Sequence, residues 1–236
     1  MRAFLFPGQG SQAVGMGAAL AEASRAARDV FAEVDEALGQ NLFRLMREGP
    51  EDELKLTENA QPAIMAHSIA VFAALTKEGG VDLAKAASFV AGHSLGEYSA
   101  LSAAGSFDLA TTAKLLKLRG QAMQQAVPVG QGGMAALLGA DLALARRIAE
   151  VAAQGEVCTV ANDNDPSQVV LSGGKGAIDR VVEIAKEMGA KRAVSLPVSA
   201  PFHSPLMQPA AEAMSDALSY VILEDPIVPV FANVTA

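Results

Sequence analysis

The sequence has a single cysteine, three histidines and no hydrophobic stretch long enough to cross a membrane. The lone Cys158 excludes an internal disulfide and is typical of a protein from a reducing compartment. The longest apolar run, PAIMAHSIAVFAAL, has 14 residues, whereas a membrane-spanning helix needs about 20. The opening segment, MRAFLFPGQG, has no small-residue cleavage site, so no signal peptide is expected. These absences predict a cytoplasmic protein.

Positive charge is also scarce. Lysine and arginine number 18 against 26 aspartates and glutamates, which gives a formal net charge of −8 at pH 7. A surplus of negative charge argues against non-specific binding to nucleic acid and to anionic membranes. Apolar residues make up 51% of the 236 residues, so the chain can bury a sizeable core. We therefore expect a globular protein with neither nucleic acid nor a membrane as its partner.

Cofactor motifs are incomplete in this sequence. The segment GQGSQA, residues 8–13, loosely fits a dinucleotide fingerprint, but the acidic residues about 20 positions later fall inside a helical pattern. Residues 163–165, DND, lack the glycine of a calcium loop, and SGGKGA lacks the Ser or Thr of a Walker loop. No cluster of His, Cys, Asp and Glu has metal-ligand spacing. We expect neither a metal nor a cofactor.

Strand and helix patterns alternate along the chain, which predicts an α/β fold. The segments AFLF, ASFVAGHS and VPVFANV are typical of strands and are separated by helical patterns. Residues 127–196 have their own order, β-α-β-β-α-β, which is typical of a ferredoxin-like domain. We predict an α/β-hydrolase-like core with a short parallel sheet, formed by residues 1–126 and 197–236, and an inserted ferredoxin-like subdomain at residues 127–196.

The segment GHSLG, residues 92–96, matches the nucleophile-elbow motif G-x-S-x-G. A sharp strand-to-helix turn would expose Ser94 at a helix N-terminus, where backbone N–H groups and the helix dipole stabilise an oxyanion. The alternative is structural, because Ser94 and Glu97 also form the S-x-x-E pattern of a capping box. The apolar strand before the motif and the helix after it favour the nucleophile.

A serine nucleophile needs a base, and only three histidines are available. His67 lies in a run that predicts a buried helix, and His93 is better placed to brace the turn beside Ser94. His203 lies in VSAPFHSPL, a loop directly after a predicted strand, where catalytic residues often occur. His203 is therefore the candidate base by elimination, with simple solvent exposure as the alternative.

Arg119 has an unusual position in the helical segment FDLATTAKLLKLRGQAMQQAV. At 100° per residue it falls on the apolar face, with no acidic residue three or four positions away. A guanidinium turned inward is costly unless an anion meets it. The alternatives are a salt bridge to a distant acid, a side chain that snorkels to water, or a clamp for a substrate carboxylate. A nearby nucleophile favours the clamp.

Four segments in this order, FPGQGSQ, GHSLGE, KLRGQAM and PFHSPLM, resemble the malonyl-CoA:acyl carrier protein transacylase family. The resemblance runs from Arg2 to the last residue. It implies transfer of a malonyl group from coenzyme A to the phosphopantetheine thiol of acyl carrier protein, through a malonyl-serine intermediate and without a cofactor. Members of this family continue beyond a VPVFANV-like segment, so the C-terminal part of the core is expected to be missing, either because the sequence is a fragment or because the remainder is supplied separately.

The resemblance also implies roles for individual residues. Ser94 would be the nucleophile and His203 its base. Arg119 would bind the malonyl carboxylate, and Gln9 together with the Leu95 backbone N–H would form the oxyanion hole.

Three further residues would contact or support the substrate. Asn162 resembles an asparagine on the rim of the active site, and His93 would brace the turn next to the nucleophile. Phe202 resembles the form of the histidine loop that prefers malonyl over methylmalonyl groups.

Two other functions stay open at the level of the sequence. A serine hydrolase or thioesterase would use the same elbow but resolve the acyl-enzyme with water. A non-catalytic module would bind acyl groups or a carrier protein and use Ser94 only as a helix cap. In each case a monomer is our working assumption.

Overall fold

The structure is a computed structural model that describes residues 2–198 and 200–235. It has a mixed α/β architecture with a short parallel sheet and a separate antiparallel sheet, as predicted. The chain divides into two compact units, one formed by Met1–Gln121 with Asp216–Ala236 and the other by Ala122–Ser215. Over the described residues, no helix combines the length and apolar character that a membrane crossing requires.

Seven strands and eleven α-helices are found among the described residues. The strands are β1 Ala3–Phe6, β2 Phe89–Gly92, β3 Gly132–Leu138, β4 Cys158–Asp165, β5 Gln168–Gly174, β6 Arg192–Ser195 and β7 Val230–Phe231. The helices are α1 Ala18–Ala23, α2 Arg25–Leu38, α3 Leu42–Glu48, α4 Glu51–Lys55, α5 Thr57–Ala73, α6 Leu83–Ala86, α7 Leu95–Ala103, α8 Leu109–Ala126, α9 Leu142–Ala153, α10 Lys175–Ile184 and α11 Gln208–Ser219. A π-helical turn, Ala74–Glu78, continues α5, and a 3₁₀ turn, Pro205–Met207, precedes α11.

The first unit contains the parallel sheet, with strand order β1-β2-β7. Ala3 pairs with Phe89 and Phe6 with Gly92, so β1 and β2 end side by side. Since the carboxyl ends of parallel strands meet at one sheet edge, the loops that follow β1 and β2 are neighbours. The predicted strand VPVFANV is much shorter than expected, because only two of its residues pair with β2.

Helix α5 forms the centre of the first unit's core. Its run PAIMAHSIAVFA was predicted to be a helix that is apolar nearly all round, and the structure confirms this. The apolar run predicts a start at Pro62, but the helix begins five residues earlier, at Thr57, so that Pro62 lies inside it. The amphipathic α2 packs its buried Val30 and Phe31 into the same cluster.

The second unit contains the antiparallel sheet, with strand order β4-β5-β3-β6. Side chains alternate between the two faces of β3. Ala135 and Leu137 join a core with α9 and α10, whereas Met134 and Ala136 join a separate cluster that includes Phe202. Both faces of this antiparallel sheet are therefore covered by apolar side chains, and one face packs against the loop that carries Phe202 and His203.

Truncation within α5 should destabilise the protein strongly. Ile64 is 1% exposed, so Ile64→Ala should lower the free energy of unfolding by about 2–5 kcal/mol through lost burial and a cavity. Ile222 is 83% exposed, so Ile222→Ala should change it by no more than about 0.5 kcal/mol. Urea denaturation followed by circular dichroism measures both. Equal losses for the two variants would contradict the central place of α5.

Candidate active site

A sharp turn joins β2 to α7 and carries Ser94. Because β2 ends at Gly92 and α7 begins at Leu95, only His93 and Ser94 lie in the turn. Ser94 has φ 54° and ψ −111°, and residues with a side chain rarely adopt positive φ values. Strain of this kind is typical of a nucleophile elbow. The predicted strand-serine-helix context is confirmed.

Two glycines make this turn possible. A Cβ at Gly92 would lie 1.9 Å from the carbonyl group of Gly96. A Cβ at Gly96 would lie 2.3 Å from the carbonyl oxygen of Phe6 in β1. Neither distance accommodates a side chain, so the first turn of α7 packs directly on the backbone of both strands. The small residues on either side of Ser94 are therefore required by packing.

Asn233, which follows β7, binds both sides of the turn. Its Oδ1 accepts a hydrogen bond from the backbone N–H of Ser94 at 2.7 Å. Its Nδ2 donates to the carbonyl oxygen of Gly92 at 2.6 Å. The backbone N–H of Asn233 in turn donates to Oε2 of Glu97 at 2.8 Å. One side chain thus spans the elbow and is itself held by α7.

The capping-box interpretation of Ser94 is wrong. Ser94 occupies the N-cap position of α7, but its side chain makes no capping hydrogen bond. Glu97 binds Asn233 instead. No local pattern could have identified Asn233, because it lies 139 positions from Ser94 in the sequence.

The loop after β1 lies beside the elbow. The backbone N–H of His93 donates to the carbonyl oxygen of Phe6 at 3.0 Å. A Cβ at Gly8 would lie 2.5 Å from Nδ1 of His93, so the two loops touch. Gln9 is the next residue of this loop and is exposed. The fold therefore brings Gln9 and His93 to the sheet edge that carries Ser94.

The guanidinium of Arg119, in α8, contacts Ser94. One terminal nitrogen of its guanidinium donates to Oγ of Ser94 at 3.1 Å, and the other donates to Oε1 of Gln61 at 2.7 Å. The guanidinium carbon lies 5.9 Å from the centre of the Tyr98 ring, within the range of a cation–π contact. Across the described residues, no carboxylate forms an ion pair with Arg119. The salt-bridge alternative is therefore wrong, and the hydrogen bonds to Gln61 and Ser94 favour an inward guanidinium over one that snorkels to water.

Desolvation is the main influence on the pKa of the Arg119 guanidinium. Desolvation lowers the pKa of Arg119 from its usual value, and the nearby Tyr98 and Glu97 act in the opposite direction. Arginine stays protonated in proteins, so the folded chain holds a poorly solvated positive charge next to Ser94. An anion bound there would replace the lost solvation. The arrangement suits a short acyl group that carries a carboxylate.

Two buried polar residues of α5 were missed by the sequence analysis. Gln61 is fully buried, and its Nε2 donates to Oγ1 of Thr57 at 2.9 Å. Oγ1 of Thr57 donates to Oε1 of Gln9 at 2.9 Å. A glutamine at the start of an otherwise apolar helix was the available signal, since a buried amide needs partners. These residues connect the Arg119 guanidinium to the Gln9 side chain.

His67 lies on α5 as predicted, but it is not the fully buried and hydrogen-bonded core histidine that was expected. It is partly buried on α5, and desolvation lowers its pKa, which favours the neutral imidazole. Among the described residues its Nδ1 has no hydrogen-bond partner.

The second unit holds His203, Phe202 and Asn162. His203 is exposed and has a positive φ of 57°, so its backbone is strained as that of Ser94 is. Phe202 is buried against the sheet, and Oγ of Ser204 donates to the carbonyl oxygen of Pro201 at 2.8 Å. These contacts fix the loop on both sides of His203. Asn162 is partly buried at a register shift in β4.

A strained serine at a strand-to-helix turn, with a cation at its hydroxyl, is suited to forming an acyl ester. Residues 3–236 match the family model of the acyl transferase domain, and the chain belongs to that family.

Individual proteins of this family are similar to the chain over nearly all of its length. It is 46% identical to the malonyl CoA-acyl carrier protein transacylase of Escherichia coli K12 over 98% of this chain and 74% of that protein. It is 47% identical to the Bacillus subtilis protein of the same name over 99% of this chain and 73% of that protein. A crystal structure of an acyl-carrier-protein-S-malonyltransferase from Bartonella henselae matches 100% of this chain and 75% of its own, at 56% identity and a TM-score of 0.96. The chain thus spans about three quarters of the length of these relatives.

Removing the Asn233 side chain should loosen the elbow. Asn233→Ala leaves the Ser94 N–H and the Gly92 carbonyl without this partner, so the free energy of unfolding should fall by about 1–3 kcal/mol. Labelling of Ser94 by a fluorophosphonate probe should slow in parallel. The exposed Asn41 has no side-chain capping bond, so Asn41→Ala is the matched control. Unchanged labelling in Asn233→Ala would show that the elbow holds without this clamp.

Proposed function

We propose that this chain transfers a malonyl group from coenzyme A to the phosphopantetheine thiol of acyl carrier protein, through a malonyl ester on Ser94. The observation that carries the proposal is the 3.1 Å contact between the Arg119 guanidinium and the Ser94 hydroxyl. It supports the proposal because a partly buried cation next to the Ser94 hydroxyl could bind the free carboxylate of a malonyl group. The names of the relatives support the same donor and acceptor. One solved relative, with a TM-score of 0.93 at 43% identity over 98% of this chain and 74% of its own, is a malonyl-transacylase in complex with a type II PKS acyl-carrier protein.

In the first half-reaction, Oγ of Ser94 attacks the thioester carbonyl carbon of malonyl-CoA. His203 accepts the serine proton, and the carbonyl oxygen becomes an oxyanion. Collapse of the tetrahedral intermediate breaks the C–S bond, and the coenzyme A thiolate leaves with the proton from His203. The support for His203 is chemical, because it is an exposed imidazole on a strained loop that neighbouring contacts hold in place.

The oxyanion would be held by Gln9 and by the backbone N–H of Leu95. Helix α7 begins at Leu95, and the first N–H groups of a helix lack partners within the helix. The helix dipole adds a partial positive charge at the same point. Both donors follow strands that end at one sheet edge.

In the second half-reaction, the phosphopantetheine thiol attacks the ester carbonyl of the malonyl-serine. His203 takes the thiol proton and returns it to Oγ as the ester bond breaks. Burial raises the pKa of the Cys158 thiol to about 11, so little of the reactive thiolate is present at neutral pH. No step requires a cofactor.

Three residues would shape the substrate site. Arg119 would select a carboxylate, Phe202 would favour malonyl over its methylated form, and Asn162 would lie on the rim. His93 would support the elbow from the substrate side, since its backbone binds β1. The roles of Asn162, Phe202 and His93 are supported by resemblance more than by contacts.

We also propose that the two sheets belong to a hydrolase-like core, residues 1–126 and 197–236, and a ferredoxin-like insert, residues 127–196. The sheet order β4-β5-β3-β6 within a β-α-β-β-α-β sequence supports the insert. The strand-elbow-helix junction at Ser94 supports the core. We propose a cytoplasmic monomer that acts on malonyl-CoA and acyl carrier protein.

The covalent intermediate gives the decisive test. Mixed with malonyl-CoA, the protein should gain one malonyl mass on Ser94 and lose it to acyl carrier protein, whereas Ser94→Ala should gain none. Mass spectrometry of the intact protein and of its peptides measures both. An adduct that disappears equally fast without the carrier protein would indicate a hydrolase. No adduct on the parent protein would indicate a binding module.

The role of Arg119 can be tested by changing the acyl group. Arg119→Ala removes charge-assisted hydrogen bonds worth about 1.5–3 kcal/mol each, so malonyl loading should fall by about 10–100-fold. Acetyl-CoA carries no second carboxylate, so its loading should fall much less. The exposed Arg146→Ala is the matched control. An unchanged ratio of malonyl to acetyl loading would rule out the clamp.

A further inference from the structure

We propose that Tyr98 is a positioning residue whose ring holds the Arg119 guanidinium beside Ser94, and that it thereby sets the preference for an acyl group with a free carboxylate. This role rests on the proposed function, in which Arg119 binds the carboxylate of a malonyl group. The residues that carry the inference all lie in the first unit.

Helix α7 carries both Ser94 and Tyr98. Ser94 is the N-cap residue of α7 and Tyr98 lies four positions later, so the two side chains lie on one side of the helix. The first turn of α7 is fixed, because Gly96 packs against the carbonyl oxygen of Phe6 without room for a Cβ. Both the Ser94 hydroxyl and the Tyr98 ring contact the Arg119 guanidinium.

Close packing of α8 brings Arg119 to this side of α7. A Cβ at Gly120 would lie 2.6 Å from the carbonyl oxygen of Thr57, so the backbone of α8 touches the start of α5. Leu116 of α8 is fully buried in the core of the same unit. The backbone of Arg119 is therefore held by its neighbours, whereas its long side chain needs contacts of its own.

Three contacts with uncharged groups hold the guanidinium. One terminal nitrogen donates to Oε1 of Gln61 at 2.7 Å, and the other donates to Oγ of Ser94 at 3.1 Å. The third partner is the Tyr98 ring, whose centre is 5.9 Å from the guanidinium carbon. The face of an aromatic ring carries partial negative charge and attracts a cation within about 6 Å.

The neutrality of these partners matters for the ligand. Glu97 precedes Tyr98 in α7, but its Oε2 accepts a hydrogen bond from the backbone of Asn233. In the described part of the chain, no ion pair includes Arg119. A carboxylate partner would neutralise the cation and compete with the acyl group, whereas an aromatic ring positions the cation and leaves its charge. The charge therefore stays available for a carboxylate ligand.

The Tyr98 ring is itself held by packing. It lies at 12° to the ring of Phe107, with 6.2 Å between the two ring centres. Phe107 is 6% exposed, and Tyr98 packs against the core of the first unit. A ring fixed in this way restricts the rotamers of Arg119, a side chain that otherwise has many.

The first test compares loading of Ser94 by malonyl-CoA and by acetyl-CoA in a single turnover, measured by rapid quench and mass spectrometry. Tyr98→Leu keeps an apolar side chain but removes the ring face. Malonyl loading should slow by about 3–30-fold, whereas acetyl loading should change by less than about twofold, because only malonyl needs the positioned cation. An equal loss with both acyl groups would indicate a general structural effect and overturn the proposal.

Two further variants serve as controls. Tyr98→Phe keeps the ring, so its ratio of malonyl to acetyl loading should stay within about twofold of the parent value. The chain has one other tyrosine, Tyr220, which is 81% exposed, so Tyr220→Leu is the matched control and should leave both rates unchanged. An unaltered ratio in Tyr98→Leu, or an equal loss in Tyr98→Phe, would contradict a role for the ring face.

Ring fluorination tests the same contact if Tyr98→Leu does not fold. Fluorine withdraws electron density from the face of a ring with little change in its shape, and so weakens its attraction for a cation. Phenylalanines with one, two and three ring fluorines at position 98 should lower the ratio of malonyl to acetyl loading step by step. A ratio that does not follow the number of fluorines would rule out the cation–π contact as the cause.

A double-mutant cycle connects the ring to Arg119. In an Arg119→Ala background, Tyr98→Leu should cause no further fall in the ratio of malonyl to acetyl loading, because the cation that it positions is already absent. A further fall that adds to that of Arg119→Ala would show that Tyr98 acts by another route, and the proposal would be wrong.

A spectroscopic readout keeps this inference distinct from the proposed function. The Nε–H resonance of Arg119, assigned by comparison with Arg119→Ala, should show a ring-current shift that is lost in Tyr98→Leu and kept in Tyr98→Phe. If the parent protein formed no malonyl-serine, the proposed function would fail while this shift still reported the ring contact. If the resonance did not respond to Tyr98→Leu, the positioning role would fail regardless of activity.

Discussion

The direct packing of β1, β2 and the first turn of α7 is the constraint on which the candidate site depends. Gly96 touches the carbonyl of Phe6, and Gly92 touches Gly96, without room for a single added carbon. This contact holds Ser94 at a positive φ that its own preferences disfavour. It also fixes the loop with Gln9 beside the elbow, because β1 and β2 end in register. Backbone contact, more than side-chain chemistry, therefore brings Ser94 and the loop that carries Gln9 to the same edge of the sheet.

Burial also determines how the polar side chains near Ser94 pair with one another. Desolvation lowers the pKa of Arg119 and leaves a cation that favours an anionic ligand. The same guanidinium has no acceptor, so every group that it touches must offer an oxygen. In water these contacts would exchange freely, but the buried Thr57 and Gln61 exclude that exchange.

Much of this arrangement could be predicted because its signals are local. The motif G-x-S-x-G between an apolar strand and a helix predicts the turn at Ser94, and helical periodicity turns Arg119 inward. The buried α5 follows from its uninterrupted apolar composition. Other features could not be predicted in this way. The length of β7 was overestimated and the contact of Glu97 with Asn233 was not foreseen, since a pattern of residue types does not specify the partner that a backbone or carboxylate finds.

The sequence by itself determined the residue types at the candidate site, the alternation of strands and helices, and the side of α8 on which Arg119 lies. Only the tertiary structure decided that Arg119 reaches Ser94 and Gln61, that Asn233 spans the elbow, and that Thr57 meets Gln9. The physical reason is the range of the interactions. Propensity and periodicity act over a few neighbouring residues, whereas each of these contacts joins groups that are 25 to 139 positions apart and exists only after the core has packed.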